Sequence, residues 1–299
     1  MNRRSFVGLS AVGAGALAVS GRRFVFAAPE AAPISGARLR LSSQLSRLPG
    51  DTLRAKVESL VRFGGDAIEV RPEDCISAER IAEIKSLMAE FKVEVSAVCA
   101  ADGPYIVPDP AARRARIDNA KRLMTGGAEL GSTGVIMVPA FNSVKDQLQG
   151  IEGHKVLVEV LRELGEHGAK VGCPILLEPL NRKEAWFLRQ VSHAAAIARE
   201  VGSPGVGVMG DFYHMNFEET SDRAAFLAAG PFLRHVHLAS ARRVLPGQDD
   251  RSFVDGFRGL KMIAYQGFCS LECGCDGKPE EEIPKSFAFL RKQWEEATV

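Results

Sequence analysis

Four side chains at the ends of apolar runs have the types and spacing to hold a divalent ion. Glu178 lies next to the end of "PILLEP", Asp211 closes "GVGVMGD", His237 lies in "LRHVHLA" and Glu272 lies in "FCSLEC". Charged and polar groups at the end of a buried strand are costly unless something uses them. The successive separations are 33, 26 and 35 residues, each about one strand–helix unit. Three carboxylates and one imidazole suit a hard or borderline ion such as Mn²⁺, Mg²⁺ or Co²⁺. A cation would relieve the repulsion among the carboxylates and leave open positions for a chelating substrate. One Glu after a strand is ordinarily a surface residue or an ion-pair partner. Four ligand-capable side chains in register on successive strands are a site.

Those positions require a repeated strand–helix framework. Strands are predicted over 37–43, 66–71, 93–100, 134–140, 174–179, 205–211, 233–239 and 268–273. Between them run stretches such as "TLRAKVESLVRFG" and "HKVLVEVLRELGEHGAKVG", whose apolar residues recur at three and four, as a helix packed on a sheet needs. Glycine after the last periodic residue reads as a helix stop. Eight such units in about 260 residues fit an α/β fold of the (β/α)8 TIM-barrel type, a single domain over residues 37–297. No Gly-x-Gly-x-x-Gly follows an early strand, so a dinucleotide-binding open sheet is poorly supported. In a (β/α)8 barrel chemistry sits at the C-terminal ends of the strands, where the four residues fall. His235 lies two residues from His237 on the same strand face, and reads as a deeper, supporting residue. His154, His167 and His193 fall in helical stretches and read as solvent-facing.

The first 28 residues differ from the rest. They contain no acidic residue, and place Arg3-Arg4 before the apolar run Phe6–Val19 and the small residues Ala27 and Ala28. That is the layout of a cleaved signal peptide, and "NRRSFVG" resembles the twin-arginine export motif. The apolar run of 14 residues is short of the roughly 20 needed to span a bilayer. The expected location is therefore the periplasm, reached through the twin-arginine export machinery. Cleavage after Ala27 removes four arginines and leaves 34 basic against 37 acidic residues, a balance that does not favour nucleic acid. The six cysteines mostly occupy apolar runs, where a thiol acts as a small core residue.

"LEPLNRKE", "DFYHMN", "HVHLASARRVLPGQ" and "SLEC" together resemble the xylose-isomerase-like superfamily of sugar isomerases and epimerases, in particular the ketose 3-epimerase and hydroxypyruvate isomerase branch. The resemblance covers the chain beyond the leader. It implies that Glu178, Asp211, His237 and Glu272 are ligands of one divalent ion, and that Glu178 and Glu272 act as acid and base on either side of the substrate. It further implies that His214 and Arg243 contact substrate oxygens and that Glu184 is a pocket carboxylate. Trp186 has no matching role, though an aromatic there could stack on a sugar. Glu69, ending the second strand, reads as a pocket residue or as a partner of Arg71. The histidines that the endonuclease-IV-like branch uses are missing from "ADGPYIVPDP".

The expected reaction is proton transfer through an enediolate at a carbon next to a carbonyl, giving epimerisation or isomerisation of a small sugar or keto sugar. One rival is a lyase or hydrolase that cleaves 3-keto glycosides by the same enolate chemistry. Another is a periplasmic sugar-binding protein without turnover. Self-association into a homo-oligomer is compatible with each. For the leader, replacing Arg3 and Arg4 with Lys should leave the protein in the cytoplasm. Cell fractionation checks this, and a variant still exported rules out the twin-arginine reading.

Overall fold

The computed structural model describes residues 36–299. The expected leader, residues 1–28, lies outside them. Eight parallel strands close into a barrel in sequence order: β1 (Arg40–Gln44), β2 (Ala67–Val70), β3 (Glu94–Ala101), β4 (Val135–Met137), β5 (Ile175–Leu177), β6 (Val206–Asp211), β7 (Leu233–Leu238) and β8 (Phe268–Leu271). Each coincides with a predicted strand. Most are shorter than the apolar run that announced them, because the runs continue past the last ladder pair into the loops at the barrel mouth.

The helices are α1 (Leu53–Arg62), α2 (Ala78–Phe91), α3 (Pro110–Glu129), α4 (Gly150–Val171), α5 (Val191–Val201), α6 (Phe212–Glu218), α7 (Asp222–Ala229), α8 (Val254–Met262) and α9 (Pro279–Glu296). Local chemistry sets their ends. Thr52, Ser77, Asp109 and Ser221 each accept a backbone N–H of the following helix, as N-caps do. Gly172 and Gly202 end α4 and α5 with φ of 80° and 68°, a left-handed conformation that glycine adopts without cost. In α4 the buried Val156, Leu157, Val160, Leu161 and Leu164 form one stripe against the sheet. No described helix is long and apolar enough to cross a membrane.

Most of the core lies between the strands and the helices. A second, small cluster of Ala97, Ile136 and Met209 fills the barrel interior; Ile136 and Met209 alternate with the core-facing residues of β4 and β6, and Ala97 lies where β3 bulges against β2. Beside it the hydroxyls of Ser42 and Ser96 hydrogen-bond at 2.7 Å. Interior positions of such barrels are packed with side chains rather than open.

Register then places the polar residues. Asp211 on β6 is level with His237 on β7, and His237 with Ser270 on β8. Gln44 on β1 is level with Glu69 on β2. Glu178 and Glu272 lie one residue beyond β5 and β8, yet their N–H groups still donate to Met137 O at 3.0 Å and Leu238 O at 3.3 Å. Both side chains therefore leave from rigid backbone.

The entry to β6 is held by a close backbone approach to α4. A Cβ on Gly205 would stand 2.0 Å from Gly165 O and 2.5 Å from Ala169 N. Gly205→Ala must push α4 off the sheet, and overpacking of this kind costs about 1–3 kcal/mol. Thermal or urea unfolding should show that loss. An unchanged midpoint would mean the helix is not seated on β6.

Candidate active site

The mouth of the barrel brings Glu178, Asp211, His237 and Glu272 together. Each offers one ligand atom, and the four atoms lie within 4.8 Å of one another. Asp211 and His237 are buried and Glu178 is 5% exposed. His237 Nδ1 is 3.3 Å from Glu272 Oε2 and 3.8 Å from Glu178 Oε1. Neither His237 Nδ1 nor Asp211 Oδ2 has a hydrogen-bond partner among the described residues, although both atoms are buried. Buried polar atoms without partners are rare in folded proteins. An imidazole nitrogen and three carboxylates converging on one point are a donor set for a divalent cation, so these residues fit the expected ion.

Local structure explains how each side chain is aimed. Asp211 is both the last residue of β6 and the N-cap of α6. Its Oδ1 accepts from Tyr213 N at 2.7 Å, which leaves Oδ2 for the cluster. The next residue, Phe212, is fully buried and packs against Phe253, Phe226 and Phe257 with ring centroids 4.8, 5.5 and 6.0 Å away. The turn from strand to helix is thus fixed by an aromatic anchor beside the carboxylate.

His214 follows on α6. Both the backbone N–H and the side-chain amide of Asn181 lie against its Nδ1, at 3.1 and 2.8 Å. Two donors on Nδ1 require that atom to be unprotonated, so the ring is neutral and carries its proton on Nε2. Burial, with the charge of Arg243, pushes its pKa down to about 3. Nε2 points into the site, 3.5 Å from Asp211 Oδ2 and without a hydrogen bond. His214 is therefore prepared as a hydrogen-bond donor and not as a base.

Arg243 donates to Glu272 Oε2 at 3.0 Å and to Glu184 Oε1 at 3.3 Å, and its guanidinium lies 4.7 Å from the centre of the Tyr213 ring. Its φ of 58° is left-handed, a conformation costing a non-glycine residue about 1–3 kcal/mol. Hydrogen bonds from Arg243 N to Ser240 O and from Gly274 N to Arg243 O hold the backbone there. Glu184 Oε1 also accepts from Asn181 Nδ2 at 2.9 Å.

The carboxylates differ in environment. Burial, then the charge of Glu272, pushes Glu178 well above the ordinary range. Burial and the same charge push Asp211 up to about 7. Burial opposes ionisation of Glu272 too, but His237 and Arg243 outweigh it and hold Glu272 at about 2.

The remaining expected residues separate. Glu69 is not paired with Arg71, whose guanidinium instead meets Glu73 at 2.8 Å. Its carboxylate is buried and accepts from His235 Nε2 at 2.8 Å, His237 Nε2 at 2.9 Å and Gln44 Nε2 at 2.9 Å. His235 is fully buried below the cluster. Trp186 rests edge-on against Phe187, 5.4 Å away, and on the main core, outside this network. His154 and His167 are half-buried, with partners in Glu200 and Thr125.

Sequence reasoning missed Gln44, Asn181 and Cys99. Gln44 donates to Glu69 and to Glu272 Oε1 at 3.0 Å, and has Cys99 Sγ at 3.5 Å. With Ser46 and Arg71 these residues line a cavity of about 210 Å³ beside the cluster. A larger hollow of about 610 Å³ opens at the other end of the barrel, by Pro174, Leu233 and Gly267, and has no carboxylate or imidazole in its lining.

A closed parallel barrel with an acid-and-imidazole cluster at the C-terminal ends of β5–β8 defines the class. The chain belongs to the xylose isomerase-like TIM barrel family, whose model matches residues 57–293. It is 26% identical over 262 residues to a 3-dehydro-D-guloside 4-epimerase of Escherichia coli (strain K12), covering 85% of this chain and 99% of the relative. It is 26% identical over 252 residues to a ketose 3-epimerase of Arthrobacter globiformis, covering 81% and 84%. The crystal structure of a 3-keto-D-glucoside 4-epimerase from E. coli superimposes with a TM-score of 0.77 at 25% identity, covering 85% of this chain and all of that one. These relatives are sugar epimerases.

A divalent ion that binds the folded cluster must stabilise it by mass action, about 2.7 kcal/mol at a hundredfold excess over Kd. MnCl2 should therefore raise the melting temperature of the wild type, a chelator should reverse the rise, and His237→Ala should lose more of it than His235→Ala. Equal losses in both variants would mean that the ligand histidine is misassigned.

Proposed function

We propose that the protein is a divalent-metal-dependent sugar epimerase or isomerase that moves a proton at a carbon next to a carbonyl. The observation that carries this is the pair Glu178 and Glu272, two carboxylates anchored on β5 and β8 within one cluster with Asp211 and His237. Glu178, Asp211, His237 and Glu272 would hold the ion. Bound there, it would supply Lewis-acid polarisation of a carbonyl and a neighbouring hydroxyl.

The chain's own residues do the rest. One glutamate takes the proton from the carbon beside the carbonyl, and the C–H electron pair moves into a C=C bond as the carbonyl oxygen gains charge. The other glutamate returns a proton to the opposite face, which inverts the centre, or to the former carbonyl carbon while the neighbouring hydroxyl passes its proton to the former carbonyl oxygen and becomes the new carbonyl, which isomerises the sugar. His214 donates its Nε2–H to a substrate oxygen. Arg243 supplies positive charge beside Glu272 and a second donor for substrate oxygens. The strands hold these groups in place before substrate arrives, so little reorganisation is left to the reaction.

The relative matched over nearly its whole length is named for a 3-dehydro glycoside, which supports an oxidised glycoside over a free ketose as substrate. The same observation favours one second reading. Proton removal from C2 of a 3-keto glycoside could expel the C1 substituent and make the protein a lyase. Two separately anchored glutamates weigh against a binding protein without turnover. The leader's twin-arginine layout supports the periplasm as the place of action.

Glu178→Gln and Glu272→Gln keep an oxygen ligand but cannot accept a proton. Each should lower turnover of a 3-keto glycoside by at least the ~10²-fold typical of a lost general base, and the wild-type reaction in D₂O should place deuterium on the carbon that is inverted. Mass spectrometry separates the two readings, since a released sugar or aglycone identifies the lyase. Deuterium-free product with both Gln variants near normal rate excludes proton transfer by this pair.

A further inference from the structure

We propose that Glu69 is a positioning residue that fixes the tautomer and orientation of His235 and His237, and so presents Nδ1 of His237 to the Glu178–Asp211–Glu272 cluster. The inference deepens the proposed function, since it rests on reading that cluster as a metal site.

The argument starts from the donors that meet Glu69. Its Oε2 is 2.8 Å from His235 Nε2 and 2.9 Å from His237 Nε2, and its Oε1 is 3.1 Å from His237 Nε2 and 2.9 Å from Gln44 Nε2. A carboxylate only accepts, so both imidazoles must carry a proton on Nε2 to make these bonds. The rings stand at 85° to one another with centroids 5.1 Å apart, an arrangement in which one carboxylate reaches both. Glu69 thereby spans the barrel from β2 to β7.

With Nε2 committed, Nδ1 is the only other ring nitrogen of His237. It is buried, has no hydrogen-bond partner among the described residues, and faces Glu272 Oε2 and Glu178 Oε1 at 3.3 and 3.8 Å. Nδ1 is thus the ring atom turned toward the two carboxylates, where a cation would take it as a ligand. A ligand histidine commonly donates its other ring N–H to a carboxylate, which sets the tautomer and makes the ligand nitrogen more basic. Here that carboxylate is tied in turn to the cluster, because the amide of Gln44 donates to both Glu69 and Glu272. Substrate contact is the weaker reading of Glu69. Its side chain is fully buried and its oxygens are already filled by three nitrogen donors.

Glu69→Leu tests this, because it keeps the bulk of the side chain and removes both oxygens, whereas a Gln oxygen in the place of Oε2 would still accept from both rings. ¹⁵N spectra of the histidine rings give the tautomer directly, and calorimetric titration with MnCl2 without substrate gives the ion affinity. The wild type should show both rings protonated at Nε2. Glu69→Leu should lose that pattern and bind Mn²⁺ about 10–100-fold more weakly. If Glu69→Leu does not fold, Glu69→Asp keeps the charge but is too short to reach both rings, and should show the same two changes. Unchanged tautomers and Mn²⁺ affinity overturn the inference, whether the variant then shows a raised KM, as for a substrate contact, or only a lower melting temperature. A wild type that binds no Mn²⁺, yet shows the Nε2–H pattern and loses it on substitution, removes the metal reading and leaves Glu69 as the anchor of the two rings.

Discussion

Mutual repulsion of three carboxylates in a poorly hydrated space is the constraint on which this structure depends. Glu178, Asp211 and Glu272 converge with His237 at the mouth of the barrel. Side chains free to move would turn outward to water. They stay because each is held from behind. Asp211 is fixed by capping a helix whose first residue is buried among phenylalanines. Glu178 and Glu272 leave from backbone still bonded to the neighbouring strand. Arg243 is kept in a strained conformation that aims its charge at Glu272. A rigid framework under charges that repel is a stored preference for a cation, and it is available without rearrangement when the cation arrives.

The groups behind the cluster follow the same logic at lower cost. Glu69, fully enclosed, is offset by two imidazoles and an amide, so its charge is satisfied by donors alone. Asn181 does the same for His214, and bonds Glu184 as well. His237 and His214 are thus each held by a partner, Glu69 and Asn181, on the ring nitrogen turned away from the cluster. A substitution in the supporting layer should act through geometry, whereas one in the facing layer acts through charge.

Much of this was legible in the sequence because strand ends are. A run such as "GVGVMGD" announces a buried parallel strand, and its first charged residue marks the mouth. Applied to β5, β6 and β8, that rule gathered Glu178, Asp211 and Glu272; on β7, whose first charged residue is Arg234, depth along the strand singled out His237 over His235. It failed at β1 because the strand was expected to end at Ser43, and the ladder continues one residue further to Gln44. Glu69 was found but not understood. Spacing along one strand says that a residue stands at the mouth, not which residue across the barrel it meets. The Asn181–His214 contact was hidden for a similar reason, since it joins the loop after β5 to α6, which only the closed fold brings together.

Closure has a consequence for the order in which the molecule is made. β1 pairs with β8, and Gln44 meets Glu272 across 228 residues of chain. All four cluster residues come from the second half of the sequence, and the last of them is supplied by the final strand. A nascent chain on the ribosome thus has no cluster until its synthesis is nearly complete, and the contacts that finish it are among the most distant in sequence, which are the slowest to form. Possession of the site is therefore a certificate of a finished barrel. A truncated or half-folded chain lacks the cluster.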